Sequence, residues 1–110
     1  MDLKTYQELS TKFRNDKQDK KSEIANYALG LVCEAGEVGD IIKKVIFHEH
    51  DLEKEKDEII KELGDTLWYL VNLSSLLGID ISHVAEKNIE KLNKRYPNGF
   101  SKQDSRNRKE

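Results

Sequence analysis

This 110-residue chain has one proline, one cysteine and one tryptophan. It has no apolar run near the roughly 20 residues a membrane helix needs. Each scarcity excludes something. With Cys33 alone there is no internal disulfide and no thiolate metal site, and a small buried or half-buried residue in a reducing compartment is expected. With proline confined to Pro97, nothing before it interrupts helix formation. There is no sustained apolar–polar alternation and no Asn-Gly or Asp-Gly between apolar runs, so no strand is signalled. Neither sign of charge dominates: 19 basic and 21 acidic residues leave a net charge of −2. They interleave as on solvated helix faces, which argues against a nucleic-acid-coating protein. The N-terminus lacks a secretory apolar core. A soluble, cytoplasmic protein with no nucleic-acid or membrane partner is expected.

Hydrophobic residues make up 36% and charged residues another 36%. A lone globular domain usually carries about 45–50% apolar residues, glycine included. The length allows one domain, with a thin core. Pairing with a second copy, as a homodimer or homotetramer, is the natural way to bury more.

Apolar spacing predicts four helices. The first runs near Asp2 to Asn15, with Leu3, Tyr6, Leu9 and Phe13 on one face and Asp2 as N-cap. A polar, lysine-rich link covers Asp16 to Lys21. The second helix runs near Ser22 to Phe47, with the stripe Ile24, Ala28, Leu31, Ala35, Val38, Ile42, Val45. The third runs near Leu52 to Leu77, with the stripe Ile59, Ile60, Leu63, Leu67, Leu70, Ser74, Leu77. Gly78 suits the residue after a helix end, and Asp80 the next cap. The fourth runs near Ile81 to Arg95, ended by Pro97-Asn98-Gly99. The fold class read from this is all-α: a four-helix bundle-type domain over residues 1–96, completed by subunit pairing, then a loose polar tail over 97–110.

Chemistry enters with two acid pairs, Glu34-Ala-Gly-Glu37 and Glu62-Leu-Gly-Asp65. Residues three apart on a helix are neighbours, so each pair aims two carboxylates the same way. On helical wheels both pairs fall at the edge of the apolar stripe, with a matched offset. Acids there are costly unless paired or metal-bound. One such pair would be uninformative, and Lys43, Lys44 and Lys61 stand ready as salt-bridge partners. The doubled pattern, with Gly36 and Gly64 inside it, favours a site: four converging carboxylates suit Mg²⁺, Mn²⁺ or Ca²⁺. A mid-helix glycine costs roughly 1 kcal/mol against alanine and usually permits close helix approach or room for a ligand.

Helix four carries Asn88, Lys91 and Arg95 on one face. An amide and two cations suit a polyphosphate, although cations near a helix C-terminus also serve the helix dipole. Trp68 and Asn72 point away from the acid stripe; packing is the first reading for Trp68, with base stacking or base-edge contact as the alternative. His48, His50 and His83 share no face with the acids and read as surface or loop residues.

Four ordered blocks resemble the MazG-like nucleoside triphosphate pyrophosphohydrolases: Leu29-Gly-Leu-Val-Cys-Glu-Ala-Gly-Glu-Val, Lys43-Lys44, Lys61-Glu-Leu-Gly-Asp-Thr-Leu-Trp-Tyr-Leu, and Asn88-Ile-Glu-Lys-Leu-Asn-Lys-Arg-Tyr-Pro. Together they match the family's E-x-x-E, spacer, E-x-x-D signature from about Tyr27 to Arg108. The resemblance implies an all-α fold whose subunits pair to complete helical bundles. It implies Mg²⁺ on Glu34, Glu37, Glu62 and Asp65, with Mn²⁺ as a substitute. It implies hydrolysis of a nucleoside triphosphate between the α and β phosphates, yielding a monophosphate and pyrophosphate. It places Asn88, Lys91 and Arg95 on the phosphates and Tyr69 in the pocket lining. Two rival readings are a di-iron carboxylate bundle, which wants Glu-x-x-His on two helices and finds none here, and a non-catalytic helical interaction module, which leaves the matched acids unexplained.

Overall fold

The computed structural model describes residues 1–15 and 17–109; Asp16, in the expected first link, lies outside the described residues. Five α-helices follow in order: α1 (Leu3–Ser10), α2 (Lys20–Phe47), α3 (Leu52–Leu76), α4 (Ile81–Arg95) and α5 (Lys102–Arg106). A 3₁₀ turn, Thr11–Phe13, ends α1 sooner than apolar spacing predicts. No strand occurs among the described residues, so the architecture is all-α.

Aspartates start the first four helices. Asp2, Asp19, Asp51 and Asp80 each accept a backbone N–H of the first turn, satisfying donors that the helix leaves without internal partners. The Asp19 cap begins α2 two residues before the expected start. Gly78 follows α3 with φ 71°, a left-handed conformation that costs a Cβ-bearing residue energy. The tail expected to be loose instead forms α5, capped by the Ser101 hydroxyl, which accepts from the Asp104 N–H at 3.0 Å. The Tyr96 and Phe100 rings before it meet at a tilt of 48°, 5.4 Å between ring centroids.

Helices α2 and α3 form a long antiparallel hairpin closed by residues 48–51. Contacts step in opposite directions along the two helices, Glu34 meeting Glu62 and Tyr27 meeting Tyr69. α1 packs on α3 and α4, near the α3–α4 turn. Gln7 holds that turn: its amide donates to Ser75 Oγ and the Ile79 carbonyl, and its Oε1 accepts from the Ile81 N–H. The buried apolar core is small: Tyr27, Val71, Leu76 and Ile81. Burying such side chains is worth about 1.5–3 kcal/mol each. Beside them Glu23 is buried and paired with Arg14 at 2.8 Å.

The third helix differs from its expected orientation. Its half-buried positions include Ile59, Glu62, Thr66, Tyr69 and Leu73, a mixed stripe that faces α2, where Glu62 meets Glu34 and Tyr69 meets Tyr27. Most of the apolar stripe read from the sequence faces outward instead: Ile60 is 65% exposed and Leu63 51%, with Leu67, Leu70 and Leu77 also exposed. On α2, Leu29, Val32, Ile46 and Phe47 are exposed as well. The radius of gyration is 17.1 Å, where a compact chain of this length has about 13 Å. One chain therefore leaves its helices open rather than closed around a single core.

Candidate active site

Because the mixed stripe of α3 turns inward, its acids enter the α2–α3 seam. Carboxylate oxygens of Glu34, Glu62 and Asp65 all lie within 4.8 Å of one another, with Glu34 and Glu62 half-buried and Asp65 exposed. Three of the four carboxylates singled out in the sequence thus converge. Glu37 is exposed and stays outside the group. Its charge is felt by Lys44, whose titration is raised first by the hydrogen bond to Asp40 and to a lesser extent by Glu37.

The lysines that could have neutralised the acids are engaged elsewhere. Lys43 and Lys44 pair with Asp40 at 3.4 and 2.8 Å, and Lys61 pairs with Glu58 at 3.0 Å. Among the described residues, no lysine or arginine forms an ion pair with Glu34, Glu62 or Asp65. The repulsion shows in titration. The Glu62 carboxyl is pushed above its ordinary range, first by sharing a hydrogen bond with Glu34, then by burial and by the charges of Glu34 and Asp65. Crowded hard-oxygen donors without an internal counter-charge are what a divalent cation such as Mg²⁺ satisfies, so these residues fit one.

Aromatic side chains flank the acids. Tyr69, one turn after Asp65, packs against Trp68 and Tyr27 at centroid distances of 5.1 and 5.6 Å. Burial first, then the Glu34 charge, raises the Tyr69 titration and keeps its phenol protonated. Tyr6 of α1 is raised likewise, by burial and then by Asp65, so the first helix also brings a phenol into the field of the acids. Sequence reasoning read Tyr6 as a packing residue, because nothing in its spacing announces which helix it will meet.

Trp68 and Asn72 turn out to be structural. The indole N–H donates to the Ser10 carbonyl at 3.0 Å, and the fully buried Asn72 amide donates to Ser10 Oγ and the Trp68 carbonyl. Asn88 and Lys91 are exposed on α4 and make no hydrogen bond or ion pair with the acid group. Arg95 is half-buried, its guanidinium 5.9 Å from the Tyr96 ring centroid. His48 and His50 lie exposed around the α2–α3 turn and His83 is exposed on α4, as expected. Gly36 and Gly64 face open space, with nothing near a hypothetical Cβ. Close approach occurs instead at Gly30, where a Cβ would meet the Tyr69 ring. No helix among the described residues is long and apolar enough to cross a membrane.

The family model for the MazG nucleotide pyrophosphohydrolase domain matches residues 22–100. The chain is also 30% identical over 92 residues to the Gene 37 protein of Mycobacterium phage L5, covering 82% of this chain and 81% of that protein. No solved structure matches it.

Proposed function

The chain belongs to the MazG nucleotide pyrophosphohydrolase family, and from that premise we propose that it hydrolyses nucleoside triphosphates between the α and β phosphates, in the cytoplasm, to clear unwanted nucleotides. The observation that carries this reading is the convergence of Glu34, Glu62 and Asp65, with no ion pair to a lysine or arginine among the described residues. These three would hold Mg²⁺, or Mn²⁺ in its place, and Glu37 would join them by a change of side-chain rotamer. The bound cation would neutralise phosphate charge and make a water more acidic.

The chain's own groups supply the rest. Hydrolysis breaks one phosphoanhydride P–O bond and forms one from water. The water's proton passes to a carboxylate oxygen of the acid group, and pyrophosphate leaves with the electron pair of the broken bond. The Tyr69 phenol, held protonated, can donate a hydrogen bond to a phosphate oxygen. Asn88, Lys91 and Arg95 supply an amide and two cations for the β and γ phosphates.

Assembly belongs to the same reading. The outward stripe Ile60, Leu63, Leu67, Leu70 and Leu77 alternates steps of three and four, broken only at the buried Ser74. That is the spacing of a helix–helix seam, and a second copy would cover it. Neither a nucleic acid nor a membrane is part of this reading.

The test is pyrophosphate release from a panel of canonical and modified triphosphates. Release with Mg²⁺ that stops on chelation is expected. Absence of release from every nucleotide would leave the non-catalytic interaction module as the better account. Sedimentation of the same preparation should give at least twice the chain mass; an active monomer would remove the second copy.

A further inference from the structure

Gly30 is the glycine of α2 that lies directly against another side chain. A Cβ placed there would fall 2.5 Å from Tyr69 Cδ1 and 2.7 Å from Cζ, and closer still to Cε1. Carbon atoms in contact sit about 3.5–4.0 Å apart. The Tyr69 ring therefore rests on the bare backbone of α2. Its other neighbours are rings: Tyr27 tilted at 51° and Trp68 edge-on at 83°. This seat is one helical turn before Glu34 on α2, while Tyr69 itself is one turn after Asp65 on α3. A glycine inside a helix costs stability relative to alanine, and here its missing side chain is what opens the seat.

We propose that Gly30 is a positioning residue: by leaving α2 bare, it seats the Tyr69 ring so that the phenol stands beside the Glu34 and Asp65 carboxylates and meets a phosphate of the triphosphate. The proposal rests on the reading of the acid group as a triphosphate site. Any side chain at position 30 displaces the ring by about 1 Å, a misplacement large enough to remove what the phenol contributes to the rate. Gly36, Gly39 and Gly64, which face open space, have no such effect on Tyr69.

The experiment compares Gly30→Ala, Tyr69→Phe, Tyr69→Ala and the double variant Gly30→Ala/Tyr69→Ala. It reads kcat and KM for Mg²⁺-dependent pyrophosphate release, and the fluorescence of Trp68, the sole tryptophan. Gly30→Ala should lower kcat/KM roughly ten-fold, the full contribution of the phenol, and shift Trp68 emission, because the ring that abuts the indole has moved. Tyr69→Phe, which keeps the ring but loses the hydroxyl, should lose roughly ten-fold. Once Tyr69 is alanine, adding Gly30→Ala should change neither kinetics nor emission, since no ring remains to displace.

Unchanged kcat/KM in Gly30→Ala, full activity in Tyr69→Phe, or losses that multiply in the double variant would each overturn the proposal. If Gly30→Ala alone fails to fold, Tyr69→Ala must restore folding, and an unfolded double variant overturns it too. A wild-type protein that releases no pyrophosphate removes the site reading and this proposal with it. That failure is distinguishable, because Gly30→Ala would still shift Trp68 emission.

Discussion

The two halves of α3 make a contrast. Its C-terminal half, from Trp68 to Leu76, is finished by its own chain: Val71 and Asn72 are fully buried, and Gln7 and Ser10 of α1 bond across to it. Its N-terminal half, from Leu52 to Asp65, is unfinished. It carries unneutralised carboxylates in the seam, an open glycine and large apolar residues facing outward. The finished half follows the usual rule that buried polar groups are bonded and buried apolar groups packed, with the buried Asn72 Oδ1 as an exception. The unfinished half breaks that rule with both charge and apolar surface. The lesson is a division of labour along one helix: stability at one end and, in the function proposed above, a place for a cation, a substrate and a second subunit at the other.

The contrast can be broken most sharply in the unfinished half. Asp65→Asn removes one charge and keeps the shape. Mg²⁺-dependent pyrophosphate release should fall by more than about a hundred-fold, on the scale of losing a preorganised electrostatic group, while circular dichroism shows unchanged helix content. Full activity would show that the carboxylate convergence has no chemical role.

The finished half should respond in the opposite currency. Val71→Ala opens a cavity at a fully buried position and should cost about 2 kcal/mol. Calorimetry would then show Tm lower by roughly 10 °C. The same variant, held well below its Tm, should retain its kcat. A large loss of kcat with an unchanged Tm would reverse the assignment of the two halves.

The α4 cations come next. Lys91→Ala and Arg95→Ala should each lower kcat/KM by about one to two powers of ten, the scale of one charge-assisted hydrogen bond. Lys91 is exposed, so its loss should leave Tm alone. Arg95 is half-buried over Tyr96, so its loss should also lower Tm. Unchanged kinetics in both variants would remove them from the site.

The smallest effect concerns pH. The Glu62 titration is raised above the ordinary 4.5 by Glu34 and burial. A carboxyl whose folded-state pKa is raised favours the fold while protonated, and that contribution is lost as pH rises through the raised value. Metal-free protein should therefore lose stability relative to Glu62→Gln as pH rises above the ordinary 4.5, read as a falling difference in Tm between the two proteins. Asp2, Asp19 and Asp40 run the other way, with lowered pKa values whose contribution is lost only as pH falls; comparison of the two proteins cancels them. Parallel Tm–pH curves would show that Glu62 is not under repulsion.

Much of the fold could be read from residue order. Local rules placed the helices, because caps and breakers act within a few residues: Asp2 and Asp80 cap, Gly78 ends α3, and Pro97 stops α4. The tail was misread because the Ser101 cap of α5 is a weak signal in a polar segment. The site was legible as two acid pairs, since i, i+3 spacing fixes a shared direction on any helix. That Glu37 stays outside while Glu62 enters the seam was not legible, because spacing says nothing of how a helix is rotated against its neighbour.

The sequence by itself determined that this is an all-α chain with two carboxylate pairs on its two long helices, because helix starts, stops and faces follow from local chemistry and a fixed 3.6-residue period. The tertiary structure alone decided which stripe of α3 meets α2. The seam closes over Glu34, Glu62 and Tyr69, and the more apolar stripe is left outside. Rotation about a helix axis is settled by shape: the bare backbone at Gly30 accepts the Tyr69 ring, and α1 holds the far end of α3 through Gln7 and Ser10. These contacts join residues up to 68 positions apart along the chain, beyond the reach of any local pattern.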